Sequence, residues 1–265
     1  MFGYNSVFTE TKIKIFYNFV GLKPVKMKIK LFTIPNFITL GNLLCGVGSI
    51  VASLVYGNLM LAFGLVILSA VFDFFDGFAA RMLKQSSEIG VQLDSLADMV
   101  SFGTAPAAAL SALFVSAPSA FGWSWLDCDV CRFLPFVITA FSALRLAKFN
   151  IDDSQHEEFS GLTTTANGIF CTSLAAVCVM GDWVIAREWI LLIAAVVSAL
   201  LVSPIRMFSF KFKAHSFGWH GNEVRYSFIA FALAALLSLR IYAIPLIIVI
   251  YIAVSTLMWI FKRSK

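Results

Sequence analysis

The feature that most constrains this chain is a succession of long apolar runs divided by short polar joints. Predominantly apolar stretches of about 17–25 residues are long enough to cross the hydrocarbon core of a bilayer as helices. Eight can be drawn, at about 36–56, 59–83, 91–117, 132–150, 164–183, 187–204, 224–240 and 242–262. The third is least regular at its start, where Asp94 and Asp98 fall. The seventh is short, and Arg240 and Tyr242 mark its joint with the eighth. In lipid every backbone N–H and C=O must be paired within the chain, so helices are expected throughout. The fold class expected is an all-α integral membrane protein, a bundle of about eight transmembrane helices. Composition agrees: 60% of residues are hydrophobic and 13% charged, against about a quarter charged in a soluble domain.

An even number of spans puts both termini on one side of the membrane. That side would then carry every one of the 20 Lys and Arg residues except Arg132, Arg187 and Arg240. Basic residues are retained in the cytoplasm, so both termini are expected there, in the cell (cytoplasmic) membrane. The net charge of +5 and pI near 9.0 do not indicate a nucleic-acid partner, because the basic residues lie between apolar spans and form no single patch. Residues 1–26 read as a basic N-terminal extension and 27–265 as the transmembrane domain. The stretch TKIKIFYNFVGLKPVKMKIKLF can lie along an anionic bilayer surface or serve only as a positive flank, and Pro24 would interrupt a single long helix. Met27 offers a second start, so residues 1–26 are expected to be dispensable for activity. No cleavable leader is evident, and the first span is expected to act as the insertion signal.

Against this background four carboxylates stand out: Asp73, Asp76, Asp94 and Asp98. An ionised side chain at the bilayer centre costs about 2.5–3.5 kcal/mol on insertion scales. The proposed topology puts these four near the cytoplasmic ends of spans two and three, which lowers that cost without removing it. Only Arg81 and Lys84 are local counter-charges. Asp73, Asp76, Gly77, Ala80 and Arg81 share one helical face, and so do Gly90, Asp94 and Asp98. A short joint, MLKQSSEIG, makes the two helices antiparallel neighbours whose acidic faces can meet. Carboxylates so clustered repel one another unless cations lie between them, and hard oxygen donors suit Mg²⁺ or Mn²⁺. Four can hold two such ions, a device for phosphoryl chemistry. Gly77, Ala80 and Gly90 allow a ligand close to the backbone or allow helices to pack, and Arg81 suits a phosphate. An ion transporter would instead spread its acids over several spans toward the midplane. A non-catalytic scaffold would have no use for all four.

The pattern Asp73-x2-Asp76-Gly77-x2-Ala80-Arg81-x8-Gly90-x3-Asp94-x3-Asp98 resembles the signature of the CDP-alcohol phosphatidyltransferases at all eight positions. The resemblance implies an integral membrane enzyme that moves a phosphatidyl group from a CDP-linked lipid to an alcohol and releases CMP. It implies that Asp73, Asp76, Asp94 and Asp98 surround two divalent cations, Mg²⁺ or Mn²⁺, that Asp98 is the general base, and that Gly77, Ala80, Arg81 and Gly90 contact the CDP moiety. It further implies a homodimer, with the active site facing the cytoplasm. The segments IPNFITLGNLLCG (34–46), DSLADMVSFGTAPA (94–107), ALRLAKFN (143–150), FSGL (159–162) and SPIRMFSFK (203–211) are similar to the branch of that family whose acceptor is serine. CDP-diacylglycerol and L-serine are therefore the expected substrates, with choline, inositol phosphate or glycerol 3-phosphate as alternative acceptors. Thr163, Thr164 and Thr165 depart from that branch, where prolines are expected. Asn42 stands where members with a phosphorylated acceptor carry a basic residue.

Other positions admit two readings. Asn36, Thr39 and Asn42 can line the nucleotide site from the first span, or Asn36 can be a helix N-cap. Arg145 and Lys148 can hold a lipid phosphate or the acceptor carboxylate, or only enforce topology, and Arg206 is similar. His156, His215 and His220 are expected to be solvated loop residues. Cys128 and Cys131 fall in an expected outer loop, where an oxidising compartment would permit a disulfide, and two cysteines alone make a poor zinc site.

Overall fold

The computed structural model describes residues 31–151, 159–207 and 223–263. The basic segment 1–26, the three histidines and residues 208–211 lie outside the described residues. The order is α1 (Ile34–Leu54), α2 (Leu59–Met82), α3 (Glu88–Asp98), a π-helical turn (Met99–Thr104) and α4 (Ala105–Ser116). Two 3₁₀ turns (Ser124–Asp127, Cys131–Phe136) lead into α5 (Val137–Ile151). A two-residue strand β1 (Phe159–Ser160) precedes α6 (Thr164–Met180) and α7 (Arg187–Val202). Strand β2 (Arg206–Met207), α8 (Glu223–Leu239), a 3₁₀ turn (Arg240–Tyr242) and α9 (Ala243–Arg263) complete it. The strands pair antiparallel, Phe159 with Met207 and Ser160 with Arg206.

Local chemistry sets the helix ends. Thr33, not Asn36, caps α1: the Asn36 amide donates to the Thr33 hydroxyl at 3.4 Å, and Pro35 sits in the first turn, where its missing N–H has no cost. The Asn58 side chain accepts from the Leu61 amide at the start of α2. Lys84, at φ +52°, ends α2 in a left-handed turn, and the Ser87 hydroxyl accepts from the Gly90 amide to open α3. Thr163 accepts from the Ala166 amide and caps α6, so the threonines standing where prolines are expected supply a helix start instead.

All eight expected segments are helical, but they are not equally long. Among the described residues five helices are long and apolar enough to cross a membrane: Ile34–Leu54, Leu59–Met82, Glu88–Ser116, Cys131–Ile151 and Tyr226–Phe261. Helices α6, α7 and α8 have 17, 16 and 17 residues, about 24–26 Å at 1.5 Å per residue, short of the ~30 Å hydrocarbon core. The last apolar stretch is not one straight rod. Arg240 has φ +53°, and the rings of Phe228 and Tyr251 lie 6.1 Å apart, which a continuous helix would hold about 34 Å apart. Helices α8 and α9 therefore form a hairpin, as the Arg240–Tyr242 joint suggested.

The centre of the bundle is α4, against which α1, α6 and the 3₁₀ turn before α5 pack. Ala105, Ala107, Ala108 and Ala109 are fully buried there, and small residues let helix backbones approach closely. The π turn is gripped from three sides. A Cβ on Gly46 would stand 2.7 Å from the Ser101 Cα, one on Gly168 would stand 3.0 Å from the Phe102 Cα, and one on Gly103 would stand 2.9 Å from the Ser142 Cβ. Phe37, Leu44, Phe74, Phe75, Leu233 and Leu237 point outward, as a hydrocarbon surrounding requires.

Candidate active site and metal centre

The C-terminal half of α2 carries Asp73 and Asp76, and α3 returns beside it carrying Asp94 and Asp98. One carboxylate oxygen from each of Asp73, Asp76 and Asp94 comes together, all within 4.8 Å of one another. Helix α1 supplies the neutral donors. The Thr39 hydroxyl lies 2.7 Å from Asp76 Oδ2 and 3.1 Å from the Pro35 carbonyl. Asn42 Nδ2 donates to Asp98 Oδ1 at 3.2 Å. Asp98 lies outside the group of three and is only 9% exposed.

Asn42 is fully buried, and its own oxygen accepts from the Ser69 hydroxyl. The Asn42 backbone carbonyl accepts from Ser69 at 3.2 Å and from Ser101 at 3.0 Å. The π turn that begins immediately after Asp98 brings Ser101 to this position, and Asn167 Nδ2 of α6 donates to the Phe102 carbonyl there at 2.9 Å. Wide turns of this kind leave carbonyls free for side-chain donors and often mark functional sites. Asn42 thus orients Asp98 and contacts no open space, so its lack of charge bears on that carboxylate more than on the choice of acceptor.

The site is poor in compensation. Asp94 Oδ1 is buried without any hydrogen-bond partner. Among the described residues the one buried cation at the site is Arg145 on α5, 7% exposed, which interacts electrostatically with Asp98. Its Nε is buried and also unpartnered. Arg81 is exposed at the end of α2, with Nη1 passing near Gly77. Lys148 is exposed on the last turn of α5 and does not line the cleft described next. An oxygen-only donor set with an orphaned buried carboxylate oxygen fits a hard divalent cation.

A cleft of about 470 Å³ opens from this group. Of the residues singled out in the sequence, Asn36, Thr39, Asp76, Gly77, Ala80, Gly90 and Asp94 line it. Gln85, Ser86 and Ser87 line it too and were not anticipated. The signal for Ser87 was present: a serine just ahead of a helical face is an N-cap. The N-terminus of α3 therefore looks into the cleft, and free amides at a helix start favour an anion. A Cβ on Gly90 would stand 3.1 Å from Ser87 Oγ and 3.3 Å from Asn36 Oδ1, so a larger residue would close that wall.

Residues 32–201 match the family model for CDP-alcohol phosphatidyltransferases. The chain belongs to the CDP-alcohol phosphatidyltransferase family. Relatives carrying the name CDP-diacylglycerol–serine O-phosphatidyltransferase include one from Bacillus subtilis (strain 168), 38% identical over 130 residues, 49% of this chain and 67% of that protein. One from Helicobacter pylori (strain ATCC 700392 / 26695) is 32% identical over 154 residues, 57% of this chain and 59% of the relative. One from Methanocaldococcus jannaschii is 34% identical over 122 residues, 46% and 51% respectively. The chain thus spans about half to two thirds of the length of these relatives. The CDP-alcohol phosphatidyltransferase match takes in all four aspartates, Arg145 and the π turn, and ends before the α8–α9 hairpin.

Proposed function

We propose that this protein transfers the phosphatidyl group of CDP-diacylglycerol to the hydroxyl of L-serine, giving phosphatidylserine and CMP. The observation that carries the reading is the meeting of Asp73, Asp76 and Asp94 oxygens within 4.8 Å, with Asp94 Oδ1 buried and unpartnered, at a cleft walled by Gly77, Ala80 and Gly90. Asp73, Asp76, Asp94 and Asp98 hold two divalent cations, Mg²⁺ or Mn²⁺. Such cations neutralise the diphosphate and stabilise charge on the departing CMP. The small residues admit the CDP moiety close to the backbone, Asn36 and Thr39 line its entry, and Arg81 reaches a phosphate oxygen.

Asp98 acts as general base. Asn42 occupies its Oδ1 and leaves Oδ2 to accept the serine hydroxyl proton. The serine oxygen then bonds to the lipid-side phosphorus as the bond from that phosphorus to the bridging oxygen breaks. Arg145, buried beside Asp98 with an unpartnered Nε, holds the serine carboxylate, and Lys148 draws anionic headgroups to the mouth of the site. Holding both reactants this way makes a two-phase encounter an oriented one. The distribution of Lys and Arg supports eight spans with both termini, and the aspartates, at the cytoplasmic face of the cell membrane. Residues 27–265 form the catalytic domain, residues 1–26 are dispensable, and two chains associate about a twofold axis.

The test is CMP release by purified protein in detergent with CDP-diacylglycerol and Mn²⁺ or Mg²⁺, comparing L-serine, glycerol 3-phosphate, inositol phosphate and choline. Serine-dependent release is expected. Release with another acceptor alone would overturn the choice of alcohol, and release with none would overturn the reaction.

A further inference from the structure

The loop from Ala117 to Phe136 lies at the far end of the helices that carry the aspartates. Helix runs unbroken from Asp94 to Ser116, about 33 Å at 1.5 Å per residue, enough to cross the ~30 Å hydrocarbon core. Helix α5 then returns, and Asn150 near its end donates to Ser95 at 2.9 Å. The loop is held down at both ends. Glu188 accepts from Ser119 and from the amides of Ala120 and Phe121, and Ser111 donates to the Arg132 carbonyl at 2.7 Å. Between these anchors sit the protein's two closest cysteines. Their sulfurs are 3.1 Å apart, and the Cys131 amide donates to the Cys128 carbonyl at 3.0 Å, closing a tight turn. Cys128 is exposed, whereas Cys131 is 8% exposed and lies within the apolar core.

We propose that Cys128 and Cys131 form an intrachain disulfide on the membrane face opposite the aspartates. The geometry asks for little movement, since the sulfurs need to close from 3.1 Å to about 2.05 Å while the turn already fixes the backbone. The inference rests on the proposed orientation, which puts this loop in an oxidising exterior. The oxidant is a disulfide-bearing exchange partner. The Cys128 thiolate attacks one sulfur of that disulfide, forming a mixed disulfide and expelling one partner thiolate. The Cys131 thiolate then attacks Cys128 Sγ and expels the second, so two electrons pass to the partner and two protons are released. The division of labour follows from access: only Cys128 faces solvent. The hydrogen bond from Cys131 holds the Cys128 thiol below its ordinary value, which favours the attacking thiolate. The product clips together the loop that Glu188 and Ser111 already anchor.

The experiment uses the full chain in the cells that make it. Thiols are trapped with N-ethylmaleimide during lysis in denaturant, before and after reduction, and the tryptic peptide 85–132, which contains both cysteines and none of the other three, is weighed. No label before reduction and two labels after it are expected. In Cys128→Ser, Cys131 should take one label without reduction. Two labels before reduction, or a bond from this peptide to any other cysteine, would overturn the proposal. Serine-dependent CMP release by protein purified in detergent from the same cells separates this outcome from the proposed reaction: activity with free thiols would sink the disulfide alone.

Discussion

Carboxylates at opposite ends of the same bundle are treated in opposite ways. Glu188, at the start of α7, is 9% exposed and accepts from the Ser119 hydroxyl at 2.5 Å and from two backbone amides at 3.0 and 3.3 Å. Every one of its partners is a neutral donor of the protein. The four aspartates at the other end share far less: Thr39 serves Asp76, Asn42 serves Asp98, and Asp94 Oδ1 has no partner. A buried anion with its donors in place is a structural clamp. Carboxylates packed together and left short of donors repel one another, and what relieves that repulsion comes from outside the chain.

The contrast can be broken by single substitutions. The largest effect is expected for Asp98→Asn, which removes the general base and should lower kcat for CMP release by about 10²–10⁴-fold, with the fold retained on size-exclusion chromatography. Asn42→Val removes the donor that orients Asp98. Outer partners of a metal site typically matter by about 10–100-fold, so a loss of that order in kcat is expected, with KM for serine little changed.

Stability should respond with opposite signs at the two ends. Glu188→Ala strands three donors and should destabilise by about 1–3 kcal/mol, in chelator and in Mn²⁺ alike, while activity per folded molecule stays unchanged. Asp94→Asn should raise the melting temperature in chelator, because one of several like charges is gone, and should abolish the further rise that Mn²⁺ gives the parent protein. A fall in chelator for Asp94→Asn would mean that this carboxylate is as well satisfied as Glu188. The smallest effect is expected for Thr163→Ala, a lost N-cap worth about 1 kcal/mol, seen in thermal unfolding and not in acceptor preference.

Much of the aspartate site is legible in the sequence. Spacing of three and four residues put each pair of acids on one helical face, and a short joint brought the faces together. The second layer was harder to foresee. Asn42 and Ser69 are ordinary polar residues within apolar runs, and their pairing depends on the register between α1 and α2. The π turn after Asp98 has no compositional mark, since MVSFGT reads as plain helix. Nothing in the sequence around Glu188 marks its role, because its donors come from a loop almost 70 positions away. The apolar runs located every helix, but length separates α6, α7 and α8, of 16 or 17 residues, from the longer helices of the described residues. Hydrophobicity alone does not report where an N-cap such as Thr163 or a left-handed residue such as Asp182 stops the helix.

The central claim is that the aspartates are a cation site and not merely buried acids. Mn²⁺ binding to the purified protein, followed by electron paramagnetic resonance as free Mn²⁺ is depleted, tests it most directly. Two Mn²⁺ per chain, with a spin-coupled signal lost in Asp94→Asn and kept in Glu188→Ala, is the expected result. No binding by folded protein, or binding that Asp94→Asn leaves intact, would contradict it.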